Sequence, residues 1–505
     1  MTRPLRGLRL VVSGFELEQQ EHRGIAVFTK GLLRSLKEAG AEIWLLTEMQ
    51  ASTNDISVSR IPKSVHTRII ISRTLDKLNN GTDEENEHNY LIKLISRTPI
   101  LSKFTNVLIL LIKEKRKLKS SLFPRRIIRN KNLIIISKEE FLNSPYTKSE
   151  RLSYLQYVDG LICAKNCFID SFSLAKFKKP KPLLIDLRGF DGLITTSPQN
   201  IKPLNTNLFA QTIHDLIPLD YQRTGDHLPT FTRRLQAAGQ ARKIFVSKDA
   251  ELKYFQSFTE EKSIINPYQC VVTQSPSLEF PSDSLEWEAR TEQIQITSND
   301  RREYHIKPYC YFLFNSSVVP HKNLLFAIKA FLDSGLDERN ISLCITGKPQ
   351  KDAYSESIRN IASNHKSLIF TGYVDESTKR KLYLNALALL SPSLVEGFGI
   401  PVLDAACLGL TTIASEIESH REIQAMNDFE NYITLCSTQN KSNWSSAMRS
   451  VSLKHENLLS SIMAEDQTKK MVEISKQRIE RYRQYQALIN QSFQKTICNL
   501  LISKG

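Results

Sequence analysis

Ser391 to Ser415 reads SPSLVEGFGIPVLDAACLGLTTIAS, and the fold is decided by how this string is read. A short apolar run ends at Ser391, the acid Glu396 follows, Gly397-Phe398-Gly399 makes a turn, and Pro401 stands where a helix should start. Proline suits a first helical position because its missing N–H would be unpaired there anyway. Gly397 and Gly399 let backbone amides approach a ligand closely, and a new helix offers free N–H groups with partial positive charge. A strand, a glycine turn and a helix N-terminus together form a place to hold a phosphate. Glu396 before the turn and Asp404 after it can face one pocket. Carboxylates repel phosphate, so their part would be to bind hydroxyls. A lone Gly-x-Gly would be explained well enough as a helix start; the whole string is not.

Around this stretch, strands and helices alternate. Strand Tyr309 to Phe314 leads to helix Leu324 to Leu332, strand Ile341 to Thr346, helix Tyr354 to Ala362 and strand Leu368 to Phe370. Helix Glu376 to Asn385, strand Ala388 to Ser391, helix Pro401 to Leu408 and strand Thr411 to Ala414 complete the series. Such alternation marks a doubly wound parallel sheet whose ligands bind at the carboxyl ends of its strands. A polar stretch from Ser282 to Lys307 is the expected linker to a domain before it.

That earlier domain opens with a buried strand, Leu8 to Val12, a loop, and a helix from Gly24 in which Val27, Phe28, Leu32, Leu33 and Leu36 recur at helical spacing. Gly40 stops the helix and Ile43 to Leu46 is the next strand, a βαβ unit with parallel strands. Runs at Leu183–Leu187, Gly192–Thr195, Leu208–Ile213 and Lys243–Val246 are expected to extend this sheet. The expected division is therefore a first domain over 1–286 with a basic insertion near 59–156, a second over 308–475, and a helical tail over 476–505 positioned to return to the first.

At 505 residues with 41% hydrophobic content the chain has room for two cores. No apolar run approaches the ~20 residues that span a bilayer, and the N-terminus lacks a signal-peptide pattern, so a cytoplasmic location is expected. The eight scattered cysteines read as small buried hydrophobes. Cys163 and Cys167 have no second pair at zinc-finger spacing, and no metal is expected. The net charge of +15 implies attraction to polyanions. The excess gathers between Lys103 and Lys131 behind the apolar run Val107 to Ile112, a pattern that suits peripheral contact with an anionic membrane surface and equally a solvated basic face. No nucleic-acid signature accompanies it.

The Ser391–Ser415 string resembles the signature of family 4 of the retaining glycosyltransferases, part of the GT-B superfamily (glycosyl transferases group 1), in which Glu-Gly-Phe-Gly-Ile/Leu-Pro is followed by a second Glu. The resemblance implies two Rossmann-like domains facing across a cleft. It implies that Glu396 contacts the donor sugar's hydroxyls, that the amides of Gly397, Phe398, Gly399 and Ile400 meet the sugar or pyrophosphate, and that Asp404 holds the nucleotide ribose. Asp404 departs from the family's Glu and is one methylene shorter. FTGYV at Phe370–Val374 resembles the loop that reads the nucleotide base, ending at Val374. PHKNL at Pro320–Leu324 resembles a Pro-Arg-Lys-Asn-Leu motif, so Lys322 would neutralise the pyrophosphate of a metal-independent enzyme. His321 and Ser316 stand where the family has Arg and Gly. QTIHDLIPL at Gln211–Leu219 resembles the segment whose histidine, here His214, contacts the donor sugar, and Gly24 matches the glycine that lets a loop lie beside the diphosphate.

These resemblances imply a retaining hexosyltransferase with Glu396 and His214 as catalytic residues, using a GDP- or UDP-linked sugar. Variants such as HDLIPL and HKN resemble bacterial surface-polysaccharide enzymes, including mannosyl-transferring ones, so GDP-mannose is the first donor to try. A glycan or lipid-linked glycan is the expected acceptor, reached from the inner face of the membrane. The rival reading is a non-catalytic nucleotide-sugar-binding or scaffold protein with a degenerate site. An epimerase would not be expected to carry this signature, and a dehydrogenase is disfavoured because neither first turn reads Gly-x-Gly-x-x-Gly.

Overall fold

The computed structural model describes residues 3–20, 22, 24–49, 62–81, 124–221, 227–258, 266–281, 293–297, 303–350, 352–461 and 464–503. The first domain is organised on the strands β1 (Arg9–Ser13), β2 (Glu42–Met49), β3 (Ile127–Ile128), β4 (Ile134–Ser137), β5 (Gly160–Lys165), β6 (Leu183–Asp186), β7 (Gly192–Thr195), β8 (Ile201–Leu204), β9 (Leu208–Ile213), β10 (Arg242–Phe245) and β11 (Gln269–Val271). Eight of them form one sheet in the order β11-β10-β9-β7-β1-β2-β5-β4, parallel except that β4 runs antiparallel to β5 at the edge. The chain starts at β1 in the interior, winds outward through β2 and β5, then returns and winds the other way from β7. The reversal leaves a crevice at the carboxyl ends of β1 and β7.

One expectation is corrected here. Leu183–Leu187 does form a strand, but β6 joins β3 and β8 in a separate three-stranded sheet. Its burial alternates, with Leu183 and Ile185 inward and Leu184 and Asp186 half-buried, as in a strand covered mainly on one face. Central strands such as β7 are buried throughout. The polar linker is not featureless either: β12 (Ile294–Thr297) pairs antiparallel with β13 (Glu303–Ile306), burying Ile294, Ile296 and Ile306.

The second domain repeats the winding more simply. Strands β14 (Tyr311–Phe314), β15 (Ser342–Ile345), β16 (Leu368–Phe370), β17 (Ala388–Ser391), β18 (Thr412–Ser415) and β19 (Ile433–Cys436) form an all-parallel sheet ordered β16-β15-β14-β17-β18-β19. Its switch point lies between β14 and β17, so the loops after these two strands border one crevice. The alternation of strands and helices expected from the sequence is present to within a residue or two, including helix Ile400–Leu408 after the glycine turn.

The insertion contributes helix Lys63–Asn80, β3, β4 and the helical turns of Pro145–Lys148 and Glu150–Tyr157. The apolar run Val107–Ile112 and most of the basic cluster behind it lie outside the described residues. No helix among the described residues is long and apolar enough to cross a membrane. Helix Ala464–Ile502 continues unbroken through 475 and 476 for 39 residues, about 58 Å at 1.5 Å per residue. It touches both domains. The Tyr309 hydroxyl lies 2.9 Å from Ser475 Oγ, Phe493 meets Phe28 edge-on at 5.7 Å, and Gln494 donates to the Ser35 carbonyl at 3.0 Å. In this helix Ile479 and Tyr482 are fully buried, whereas Leu488 is exposed.

Candidate functional site

The glycine turn after β17 is held in shape by two strict local demands. Gly399 has φ +106°, in the region that favours glycine, and a Cβ there would lie 3.2 Å from His420 Cδ2. His420 is buried, with Nδ1 2.9 Å from the Ser415 carbonyl and Nε2 3.3 Å from Ser391 Oγ. Its Nδ1 therefore carries the proton in that contact, and burial pushes its pKa down. A buried imidazole thus forms the floor under the turn.

Glu396 stands before the turn with its side chain 11% exposed, and Lys322, from the helical turn Pro320–Lys322 after β14, places Nζ 2.5 Å from Glu396 Oε2. Ser393 Oγ donates to Oε1 at 2.8 Å. Burial works to raise the Glu396 pKa, but Lys322, His420 and these hydrogen bonds outweigh it and hold the carboxyl below its ordinary value. The two loops are also joined through backbone, Leu394 N–H to the His321 carbonyl at 2.8 Å. The switch point therefore presents an ionised acid and a lysine side by side.

The first domain meets this turn directly. A Cβ on Gly397 would lie 3.0 Å from Asp215 Oδ2 and 3.1 Å from the His214 carbonyl, so the residue after Glu396 rests on the segment leaving β9. His214 is 7% exposed, its Nε2 lies 2.8 Å from the Thr196 carbonyl, and Phe28 packs edge-on at 4.9 Å. A carbonyl only accepts, so Nε2 bears the hydrogen. Burial lowers the His214 pKa to about 4 against the opposing pull of that carbonyl, leaving a neutral ring whose Nδ1 is an acceptor. Gly24, the first residue of helix Gly24–Glu38, lies opposite Ile400, the first residue of helix Ile400–Leu408, with 3.6 Å from a notional Cβ to Ile400 Cδ1. Two helix N-termini, each with partial positive charge, thus lie close together at the cleft.

Asp404 has different neighbours. It is 1% exposed, its Oδ1 accepts from Ser277 N–H at 2.6 Å and from the Tyr482 hydroxyl at 2.8 Å, and its Oδ2 accepts from Ser277 Oγ. Burial raises its pKa despite these donors. Asp404 therefore ties the signature helix to the segment leaving the first domain and to the long C-terminal helix. Val374 lies half-buried in the loop after β16, and Phe398 is buried. Among the described residues no cluster of His, Cys, Asp and Glu could hold a metal ion; Cys163 and Cys167 are buried.

Residues 297–463 match the glycosyl transferases group 1 family. The matched stretch takes in nearly all of the second domain, which is thus similar to that family. Among curated proteins, an uncharacterized glycosyltransferase of Methanocaldococcus jannaschii is 30% identical over 112 residues, 22% of this chain and 28% of that protein. The serotype-specific mannosyltransferase WbdA of Escherichia coli is 24% identical over 226 residues, 43% of this chain and 26% of that one. The matched segments thus span about a quarter of these relatives. A sucrose-phosphate synthase of Thermosynechococcus elongatus superposes with a TM-score of 0.50 at 11% identity, over 96% of this chain and 97% of that one. The fold is accordingly GT-B, with the glycine turn of the second domain seated on the first.

Ser393, Asp215 and Ser277 were not singled out as site residues from the sequence. Asp215 adjoins His214 in HDL and so carried a signal by position; isolated serines carry none. Tyr482 carries no local signal as a site residue, because its hydroxyl's partner lies 78 residues away.

Proposed function

We propose that this chain transfers a sugar from a GDP- or UDP-linked donor to a glycan or lipid-linked glycan acceptor of cell-surface polysaccharide, with retention of anomeric configuration. The observation that carries the proposal is Glu396 paired with Lys322 at one switch point while Gly397 rests on His214 and Asp215 from the other domain. A diphosphate entering between the neighbouring helix N-termini would take Lys322 and the free amides as its partners, releasing Glu396 to accept from sugar hydroxyls. Preorganised donors of this kind are worth most where charge grows in the transition state. His214 offers its Nδ1 lone pair to the sugar from the opposite wall.

In the reaction, the bond from the anomeric carbon to the diphosphate oxygen breaks as the acceptor hydroxyl bonds to that carbon from the same face. The hydroxyl proton passes to the departing diphosphate oxygen. Lys322 and the amides of Gly397 to Ile400 stabilise the leaving charge, and no metal is needed. GDP-mannose is the first donor to test, in keeping with the mannosyltransferase relative.

The second reading, a protein that binds a nucleotide sugar without turning it over, draws on Asp404, whose carboxylate is already filled by Ser277 and Tyr482. Incubation with GDP-mannose and a panel of UDP-sugars, with and without glycan acceptors, separates the two. Transfer or slow hydrolysis that falls by about 100-fold or more in Glu396→Gln is expected. Binding with no turnover supports the second reading, and a Glu396→Gln protein as active as the parent removes the first.

A further inference from the structure

Beside the cleft lies a pocket that the donor site does not use. Its walls are the flank of helix Gly24–Glu38, the helical turn Glu150–Tyr157 from the insertion, the segment Ser275–Glu279, and helix Glu376–Asn385 of the second domain. It touches the site through Ser277, which lines the pocket and bonds Asp404. Lys30 sits six residues past Gly24, about 9 Å along the helix.

Three features mark this pocket as built to receive something. Tyr154 and Ser275, 2% and 3% exposed, both line it, and both hydroxyls lack a hydrogen-bond partner among the described residues. A native protein rarely leaves buried hydroxyls unpaired without a reason. Lys30 also lines it, its ammonium 5.9 Å from the centre of the Tyr154 ring and in no ion pair among the described residues. Glu376 and Glu279 attract Lys30 only from a distance, while Lys379 and Arg151 repel it, and burial lowers its pKa.

Four cations, Lys30, Arg34, Lys379 and Arg380, line the pocket against three carboxylates, Glu150, Glu279 and Glu376. Lys379 pairs with Glu376 at 2.7 Å, and Arg380 lies 3.9 Å from Glu150. Arg34 is bonded to the Tyr157 hydroxyl rather than to a carboxylate. Arg151, just behind, gives its hydrogen bonds to the carbonyls of Leu78, Gln20 and Gln19, which neutralise no charge. His22, also in the wall, is kept neutral by burial and by Lys30 and Arg151, its pKa near 3. A desolvated lysine in no ion pair among the described residues, with further cations around it, is suited to an anion, which accepts from charged donors.

We infer that this pocket holds an anionic group, phosphate or carboxylate, carried by the acceptor whose hydroxyl is glycosylated in the adjoining cleft. The inference rests on the proposed transfer reaction, and its walls come mainly from the first domain. The insertion's Tyr154 and the nearby Arg151 thereby acquire a purpose: they distinguish a charged acceptor from a neutral one.

The test uses the full chain saturated with GDP or UDP, so that the donor's phosphate site is filled, and then titrated calorimetrically with inorganic phosphate, acetate and a neutral methyl glycoside. Phosphate or acetate should bind in the presence of nucleotide while the neutral glycoside does not. Lys30→Met should weaken the anion by about tenfold or more, the loss expected for one charged hydrogen bond, while nucleotide still stabilises the variant. Arg34→Gln, at the half-exposed edge, gives a second measure should Lys30→Met fold poorly. Anion binding that disappears once nucleotide is present, that is unchanged in both variants, or that never occurs overturns the inference. If no nucleotide binds, the donor reading has failed separately. Comparison of Lys30→Met with Lys322→Met in the free chain then still decides: loss of phosphate only in Lys322→Met contradicts the pocket.

Discussion

The two walls of the cleft solve the same problem with opposite electrostatics. On the second domain, Glu396 and Lys322 are both ionised groups, nearly buried and 2.5 Å apart; on the first, His214 is equally sheltered but neutral, held by one carbonyl and an aromatic edge. A charged pair can exchange partners when a charged ligand arrives, because each member already has its desolvation offset by the other. A neutral imidazole cannot neutralise a diphosphate, but it can orient a sugar hydroxyl without adding charge. The difference teaches that the charged groups of the cleft stand on the second domain and the neutral one on the first.

The largest expected effect comes from breaking the charged wall. Lys322→Met leaves Glu396 without its cation, and loss of one partner of a buried pair costs on the order of 3 kcal/mol, somewhat less here because the site is not closed. Denaturant unfolding should show that loss, and transfer should fall by about 100-fold or more. Gly397→Ala attacks the seam instead. The new methyl would press on Asp215 and the His214 carbonyl at 3.0–3.1 Å, and a displacement of about 1 Å at a site can cost on the order of 100-fold in rate. Initial rates alongside a nearly unchanged melting temperature would identify this as misplacement rather than unfolding.

The neutral wall is tested by pH. His214 has a folded pKa of about 4 against an ordinary 6.5, so the folded state binds its proton more weakly than the unfolded chain. The stability from keeping the ring neutral is fully present above pH 6.5 and is lost as pH falls toward 4, at about 1.4 kcal/mol for each unit of difference. Urea midpoints for the parent should drop between pH 7 and pH 5 more steeply than those of His214→Asn. Parallel slopes would contradict a buried neutral His214. The smallest effect is expected at Gly24→Ala, where the added methyl makes only an ordinary contact at 3.6 Å with Ile400; stability should change by no more than about 0.5 kcal/mol, and a larger shift would mean the domains pack more tightly at that point.

How much of this could be read beforehand follows from the kind of signal each feature leaves. The second sheet was legible because every strand is a short apolar run between turn residues, and the signature turn because Glu396, Gly397, Gly399 and Pro401 each have a local reason to be there. The sheet that claims Leu183–Leu187 was not legible, since strand character says nothing about which neighbour supplies the hydrogen bonds. Ile294 and Ile296 alternate over too few residues to stand out in a polar stretch. In the site, Glu396, Lys322 and His214 were visible as motif residues. The Asp404–Ser277–Tyr482 junction was not, because it joins three segments distant in sequence through two hydroxyls and one backbone N–H.

The most direct test of the central claim, that Lys322 and the neighbouring helix N-termini form a diphosphate site, is calorimetric titration of GDP and UDP into the parent chain and into Lys322→Met at low and moderate salt. At least one nucleotide should bind the parent, more weakly as salt screens the charge, and at least about tenfold more weakly still in the variant. Equal affinity in parent and variant, or no binding of either nucleotide, would contradict the account.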